Sequence, residues 1–467
     1  MDGNAGSTRW LKGWSSRLGG GTSVAHVGRG ATLLAVQIAA AHLLGARGLG
    51  LVALCLGVIV LSGVVTGGMV GASLAALDRH DSRVREALLW WAVVLVGSSA
   101  AIGAVALRFG MGLSMTEAAL FGAASVSFQT TEVMRQVFIA MRRFWQLAVV
   151  DTVALLSALG SVVILVGERR VALATFLVAV AVAQVMACLT AHALLPLPER
   201  ALVVPRGRAR GLVAAVGGWR AVQAAITPVV LTAARLLVVV AVGSAALGRL
   251  EAARILVVPA FLVLQGLETH LLAAYARDGD APLAALVSRA WRAAMALGLA
   301  IVGCGALLGL AAPHIGDLIT GSTFPVSGLA VLGWAMYAGS LAAVQPFTSL
   351  AAARSGSRAV VAVHGADAAA SIVVLTAMLV VLDVPPAAVP FALAAGPLLR
   401  GLLTHRLLLR PMLHGASTQS ERPTPVSTPV STPVSTPVSA PVSAPARARF
   451  TTPDPERDLA DAVPQDH

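Results

Sequence analysis

Four residues near the middle of this chain could hold an anion. Arg220, Gln223 and Thr227 fall within about 60° of one another on a helix turning about 100° per residue, and Arg235 lies near the same side. A guanidinium presents a planar fork of donors that matches the oxygens of a phosphate. Other polar groups interrupt other apolar stretches: Arg29 and Gln37 in the first, Asp151 in the fifth, Arg254, Gln265 and Glu268 on one face of the eighth, and His364 with Asp367 in the eleventh. A charge in hydrocarbon is costly and faces a cavity or a partner. Arg29, Arg220, Gln223 and Arg235 are therefore candidate substrate-binding residues, and Asp151, Asp367 and Glu268 are candidates for coupling to a proton or another cation.

Plainer readings stand beside these. Glu251 precedes Arg254 by about one turn, which suits an intrahelical pair near the outer surface. Arg235 could snorkel or pair with Glu251. Asp151 and Asp367 lie a few turns from the expected cytoplasmic end, where a hydrated rim would suffice, and Glu132 with Arg135 reads as a surface pair. No metal site is expected, because Cys55, Cys188 and Cys304 are scattered through apolar stretches without a CxxC pair. The GGGTS run near Gly21 lacks the lysine of a phosphate-binding loop, so neither nucleotide hydrolysis nor a cofactor is expected, and the chain is not read as an enzyme.

The elements that must carry these residues are apolar segments long enough to cross about 30 Å of hydrocarbon. Twelve are expected, at 26–45, 50–74, 87–107, 112–134, 145–166, 171–194, 214–243, 247–272, 290–312, 327–352, 359–382 and 387–408. Hydrophobic residues make up 57% of the chain and charged residues 12%, with a mean hydropathy of +0.82. The chain reads as an all-α polytopic membrane protein, with membrane lipids around it. The net charge of +12 does not point to nucleic acid, because the arginines sit at the ends of apolar segments and form no stripe.

Those arginines set an orientation. With the N-terminus in the cytoplasm, inner connections hold Arg79, Arg83, Arg85, Arg142, Arg143, Arg200, Arg206, Arg208, Arg210, Arg277, Arg289, Arg354, Arg358, Arg406 and Arg410, while outer ones hold few. Trp90, Trp91, Trp145, Trp219 and Trp291 begin segments on that same side, where an indole suits the headgroup layer. Both termini are therefore expected in the cytoplasm of a cell whose inner membrane holds the chain. Residues 1–22 form a cytoplasmic segment with an interfacial helix around Trp10 to Leu18, 23–194 a first six-helix lobe, 195–211 a basic cytoplasmic linker and 212–411 a second six-helix lobe. Residues 412–467, with a proline every four residues from Pro425 to Pro445, read as a disordered cytoplasmic tail.

The first junctions of the two lobes look alike, "LLGARGLGLVALCLGVIV" near residue 49 and "VVAVGSAALGRLEAARILVV" near residue 247. Repeats of six helices run parallel and are related by an axis along the membrane normal.

Three segments carry a wider resemblance: "LLGARGLGLVALCLGVIVLSGVVTGG", "VMRQVFIAMRRFWQLAVVDTVALL" and "ARLLVVVAVGSAALGRLEAARILVVPAFLVLQGL". Over about residues 20 to 410 the chain resembles the polysaccharide-biosynthesis flippases, of the superfamily that includes the multidrug-and-toxin exporters and the lipid II flippase. It departs from that pattern where Ala234 precedes Arg235, a position at which members commonly carry an acidic residue. The resemblance implies two lobes around a central cavity that open alternately to either side, and a polyprenyl-pyrophosphate-linked saccharide as cargo. Other polysaccharide-assembly proteins would be its partners. Two other readings remain open: a cation-coupled small-molecule exporter, and an integral-membrane glycosyltransferase or polymerase. The latter commonly carries acidic residues in a large outer loop, whereas the longest one expected here, about 312–327, offers only Asp317.

The orientation has a direct check. In a chain lacking the three native cysteines, a cysteine at position 206 is expected to resist an impermeant thiol reagent in intact cells and to react once the membrane is opened. Labelling in intact cells would reverse the assignment.

Overall fold

The computed structural model describes residues 20–168, 171–200, 209–278, 281–354, 357–382 and 384–413, all within one compact unit. The expected interfacial helix, the core of the basic linker and the proline-rich tail lie outside the described residues. Every regular element among the described residues is helical. The first lobe comprises α1 (Gly20–Ala76), α2 (Ser82–Gly110), α3 (Met115–Ala140), α4 (Phe144–Gly167) and α5 (Leu173–Leu194). A four-residue turn of helix, α6 (Leu197–Arg200), leads towards α7 (Arg210–Ala241) and α8 (Ser244–Arg277). The second lobe continues with α9 (Leu283–Thr320), α10 (Gly328–Arg354), α11 (Ser357–Thr376) and α12 (Val389–Leu403).

Ten of these helices are long and apolar enough to cross a membrane. The first of them is two segments, because Gly45 breaks α1 with φ 64° and ψ −167°, a backbone that glycine reaches without strain. We call 20–44 and 46–76 its first and second arms. The helix α3 has spanning length but carries Gln129, Glu132, Arg135 and Gln136, and is not among the ten. With the two arms counted apart and α3 added, the described residues hold twelve segments of spanning length.

The expected long outer connection at 312–327 is corrected. Pro313 does not end α9, which runs on to Thr320 and stops at left-handed Gly321, so only 321–327 remain outside helix. The chain stays helical because Gly316 packs on Val326 and the Thr320 hydroxyl bonds to the carbonyls of Gly316 and Phe324.

The lobes meet where α1 packs along α7 and α8. Here the two similar junctions are reciprocal. Gly45 corresponds to Gly243, which also has positive φ, and Gly50 to Gly248. A methyl group on Gly50 would run into the carbonyl of Ser244, and one on Gly248 into that of Ala46. Each glycine thus seats on the residue matching its partner's seat, as a two-fold axis along the membrane normal requires.

Gly248→Val and Gly50→Val are each expected to cost about 1–3 kcal/mol through overpacking, read as a lower melting temperature of the detergent-solubilised protein. Gly218→Ala, where nothing lies within contact distance, is the control and should leave melting unchanged or slightly raised.

Candidate functional site

Helical periodicity puts Phe128, Thr131, Glu132 and Arg135 on one face of α3, and all four are buried. Opposite them the second arm of α1 presents Gly63, Gly67 and Gly71 at four-residue spacing. A side chain at Gly63 would crowd the Phe128 ring, and at Gly67 or Gly71 the ends of Glu132 and Gln136. The glycine-rich second segment is thus what lets a polar helix face come close without a gap.

Four charges converge there. Arg29 Nη1 lies 2.8 Å from Glu132 Oε2, and its guanidinium stands 4.7 Å over the Phe128 ring. Arg135 reaches Glu132 at 3.7 Å and donates to Asp151 of α4. Asp151 fits because Gly28 leaves room for its carboxylate, whose Oδ2 has no hydrogen-bond partner. Gln136 donates to Glu132 at 2.7 Å. Arg29, Glu132, Arg135 and Asp151 line a narrow cleft whose wall also includes Gln184 of α5. Beside it Gln129 ties three elements together by accepting from Thr66 and Ser99 and donating to Ser125.

A second cluster stands further along α1. Glu251 of α8 accepts from Arg235 of α7 at 2.7 Å and from Arg254 at 2.6 Å, and Arg254 donates to Gln37 of the first arm at 3.3 Å. Gly57 of the second arm gives the Arg235 guanidinium its space. Arg29 and Gln37 are eight residues apart, so about 12 Å of helix separates the two clusters. The first is neutral, with two arginines and two carboxylates. The second holds two arginines against one carboxylate.

A third pair closes the far side of the second lobe, where Arg400 of α12 faces Asp367 of α11 at 3.4 Å and Ser371 donates to Asp367 at 3.5 Å. Gly396 leaves the room for both the Ser371 hydroxyl and the Asp367 carboxylate.

The candidate residues thus separate. Arg29 and Asp151 join one cluster and Arg235 another. Arg220 and Gln223 bond each other at 3.3 Å, with Arg220 exposed. Asp367 is in neither cluster, and the side chain of Glu268 lies outside the described residues. Two expectations are corrected. Glu132 and Arg135 do not form a surface pair, because the glycine face of α1 buries them. Glu251 pairs with both Arg254 and Arg235, as the plainer readings expected. Asp151 and Asp367 are buried against arginines and occupy no hydrated rim. Gln184 and Arg400 were not singled out from the sequence; the hint was their polarity within apolar segments.

No protein-family model matches the chain, and no curated protein matches it. Among solved structures it is similar to an inward-facing multidrug resistance MATE family transporter of the MOP superfamily, at 14% identity, 85% of this chain, 99% of that one and a TM-score of 0.66. It is similar to the lipid II flippase MurJ in an inward closed conformation, at 11% identity, 82% and 86% coverage and a TM-score of 0.63. A MOP superfamily transporter from Pyrococcus furiosus matches at 13% identity, 85% and 96% coverage and a TM-score of 0.57. At such identities the likeness bears on the fold, which is the all-helical fold of long apolar segments expected.

Glu132→Gln is expected to leave Arg29 and Arg135 short of a buried counter-charge and to destabilise the fold by about 3–5 kcal/mol. Arg289→Gln breaks a pair with Asp278 whose side chains are 45% and 41% exposed, and should cost about 0–1 kcal/mol. Thermal melting of the two variants side by side checks the contrast.

Proposed function

We propose that this chain is an alternating-access transporter that flips a polyprenyl-pyrophosphate-linked saccharide from the inner to the outer leaflet of the plasma membrane, for synthesis of a cell-envelope polysaccharide. One observation carries the reading. In each cluster the most exposed charged side chains are arginines, Arg29 in the first and Arg235 with Arg254 in the second, while Arg135 is as buried as the carboxylates it holds. The side chains of Arg29, Arg235 and Arg254 are 22%, 12% and 16% exposed, against 7% for Glu132 and 1% for Glu251. A group entering between the lobes therefore meets guanidinium first, and a pyrophosphate can take two such forks. Glu251 holds Arg235 and Arg254 side by side, and the uncompensated charge of that cluster suits an anion.

The fold supports movement as well. Each ion pair of the three clusters lies within one lobe, so the lobes can part without separating those charges in hydrocarbon. Arg220 and Gln223, further towards the expected cytoplasmic end, would meet the cargo first. The expected orientation places both termini and the arginine-rich connections in the cytoplasm, and other polysaccharide-assembly proteins would supply and take up the cargo.

A second reading has its own observation. Asp151 presents an unpartnered carboxylate oxygen in the first cleft, as a cation-coupled exporter would need. Asp151, with Asp367 and Glu268, would then couple ion movement to the rocking of the lobes, whichever cargo is carried. The glycosyltransferase reading is weakened by the short connections at the Gly45 end among the described residues.

The test is flipping of a fluorescent polyprenyl-pyrophosphate-linked oligosaccharide in proteoliposomes. Arg235→Gln and Arg254→Gln are expected to slow it about 10- to 100-fold, the loss of one charge-assisted contact, and Arg235→Lys to keep part of the rate. Full rates in Arg29→Gln, Arg235→Gln and Arg254→Gln would place the pyrophosphate elsewhere. Transport of a small cation with no flipping would favour the exporter.

A further inference from the structure

We propose that His42 is a latch which closes the two lobes at the Gly45 end by capping α9, and which must let go for that end to open. The inference rests on the alternating-access reading. An α-helix leaves its last four carbonyls without donors from its own backbone. At the end of α9 one of these, the carbonyl of Leu318, is taken by His42 Nε2 at 2.7 Å, from the first arm of α1 in the other lobe. The ring also lies against Gly321, whose left-handed conformation (φ 59°) ends the helix. Beside it the Thr323 hydroxyl, whose single hydrogen is shared with the Thr320 carbonyl at 2.6 Å, lies 3.3 Å from the Ala41 carbonyl, a weaker contact from the same turn to the same arm.

The receiving turn is built independently of His42. The Thr320 hydroxyl bonds to Gly316 and Phe324, and Thr323 to Thr320 at 2.6 Å. The α9 terminus therefore persists when the lobes part, and what is lost is the donor from His42.

Position makes the contact reversible. His42 is exposed, and so is Leu318, so water can replace the imidazole at the freed carbonyl. The same bond deep in the lobe seam would leave an unsatisfied acceptor. Gly50 and Gly248 bring the junctions together at this end by shape alone. His42 adds a directional bond that exists only while the end is closed.

The test uses spin labels at two exposed positions, 47, just past the Gly45 break in α1, and 317, in the last turn of α9, in the full chain without its native cysteines, with distances measured in the presence and absence of polyprenyl pyrophosphate. His42→Leu is expected to raise the long-distance to short-distance ratio about 2- to 10-fold, as for the loss of one neutral hydrogen bond. His42→Gln keeps an N–H donor and should stay nearer the unsubstituted ratio. If His42→Leu does not fold, Thr323→Val, which removes the neighbouring bond, should shift the ratio the same way by less. Two distances whose ratio neither His42→Leu nor Thr323→Val moves would overturn the latch and leave alternating access standing. A single distance in every chain, with and without polyprenyl pyrophosphate, would overturn both.

Discussion

Close approach to the second arm of α1 is the constraint on which the rest of this structure depends. Gly50 and Gly57 face the second lobe, and Gly63, Gly67 and Gly71 face α3. In a bilayer, association of helices gains little from the hydrophobic effect, since lipid is as apolar as leucine, and depends on close packing and polar contacts. Remove the space those glycines leave and neither Glu132 nor Arg235 can sit against α1. The two charge clusters fit because glycines on two faces of one helical arm leave room for Arg235 on one side and for Phe128, Glu132 and Gln136 on the other.

That arm also separates two kinds of contact. Within a lobe the helices are joined by ion pairs: Arg29 with Glu132, Arg135 with Asp151, Arg235 and Arg254 with Glu251, and Arg400 with Asp367. Between lobes the hydrogen bonds are to uncharged partners, such as Arg254 to Gln37 and Thr232 to the Gly57 carbonyl. Breaking a buried ion pair by separation costs several kcal/mol, whereas exchanging one neutral hydrogen bond for water costs about 1 kcal/mol. Each lobe is thus held as a unit while the seam is left separable. The same division explains why Gln37 and Arg235, which occupy matching positions in the two repeats, differ in chemistry. The arginine finds its carboxylate within its own lobe, and the glutamine meets the other lobe without adding a charge.

Much of the architecture was legible in the residues. The run of long apolar helices and the likeness of the junctions near residues 49 and 247 follow from composition and pattern, because a bilayer imposes segment length and the repeat preserves its glycines. Single polar residues in apolar runs also announced themselves, and Arg29, Asp151, Arg235 and Glu251 all fall in charge clusters. What the sequence could not decide was which faces meet. Where lipid and protein are equally apolar, hydrophobic periodicity does not distinguish an inward face from an outward one, so Glu132 and Arg135 read as a surface pair until the glycine face of α1 is laid over them. Nor does spacing along the chain show that Arg29 shares a cleft with Asp151 while Arg235 and Arg220 do not. Those pairings join residues from 16 to more than 200 positions apart, and only the packing of helices around α1 brings them within reach.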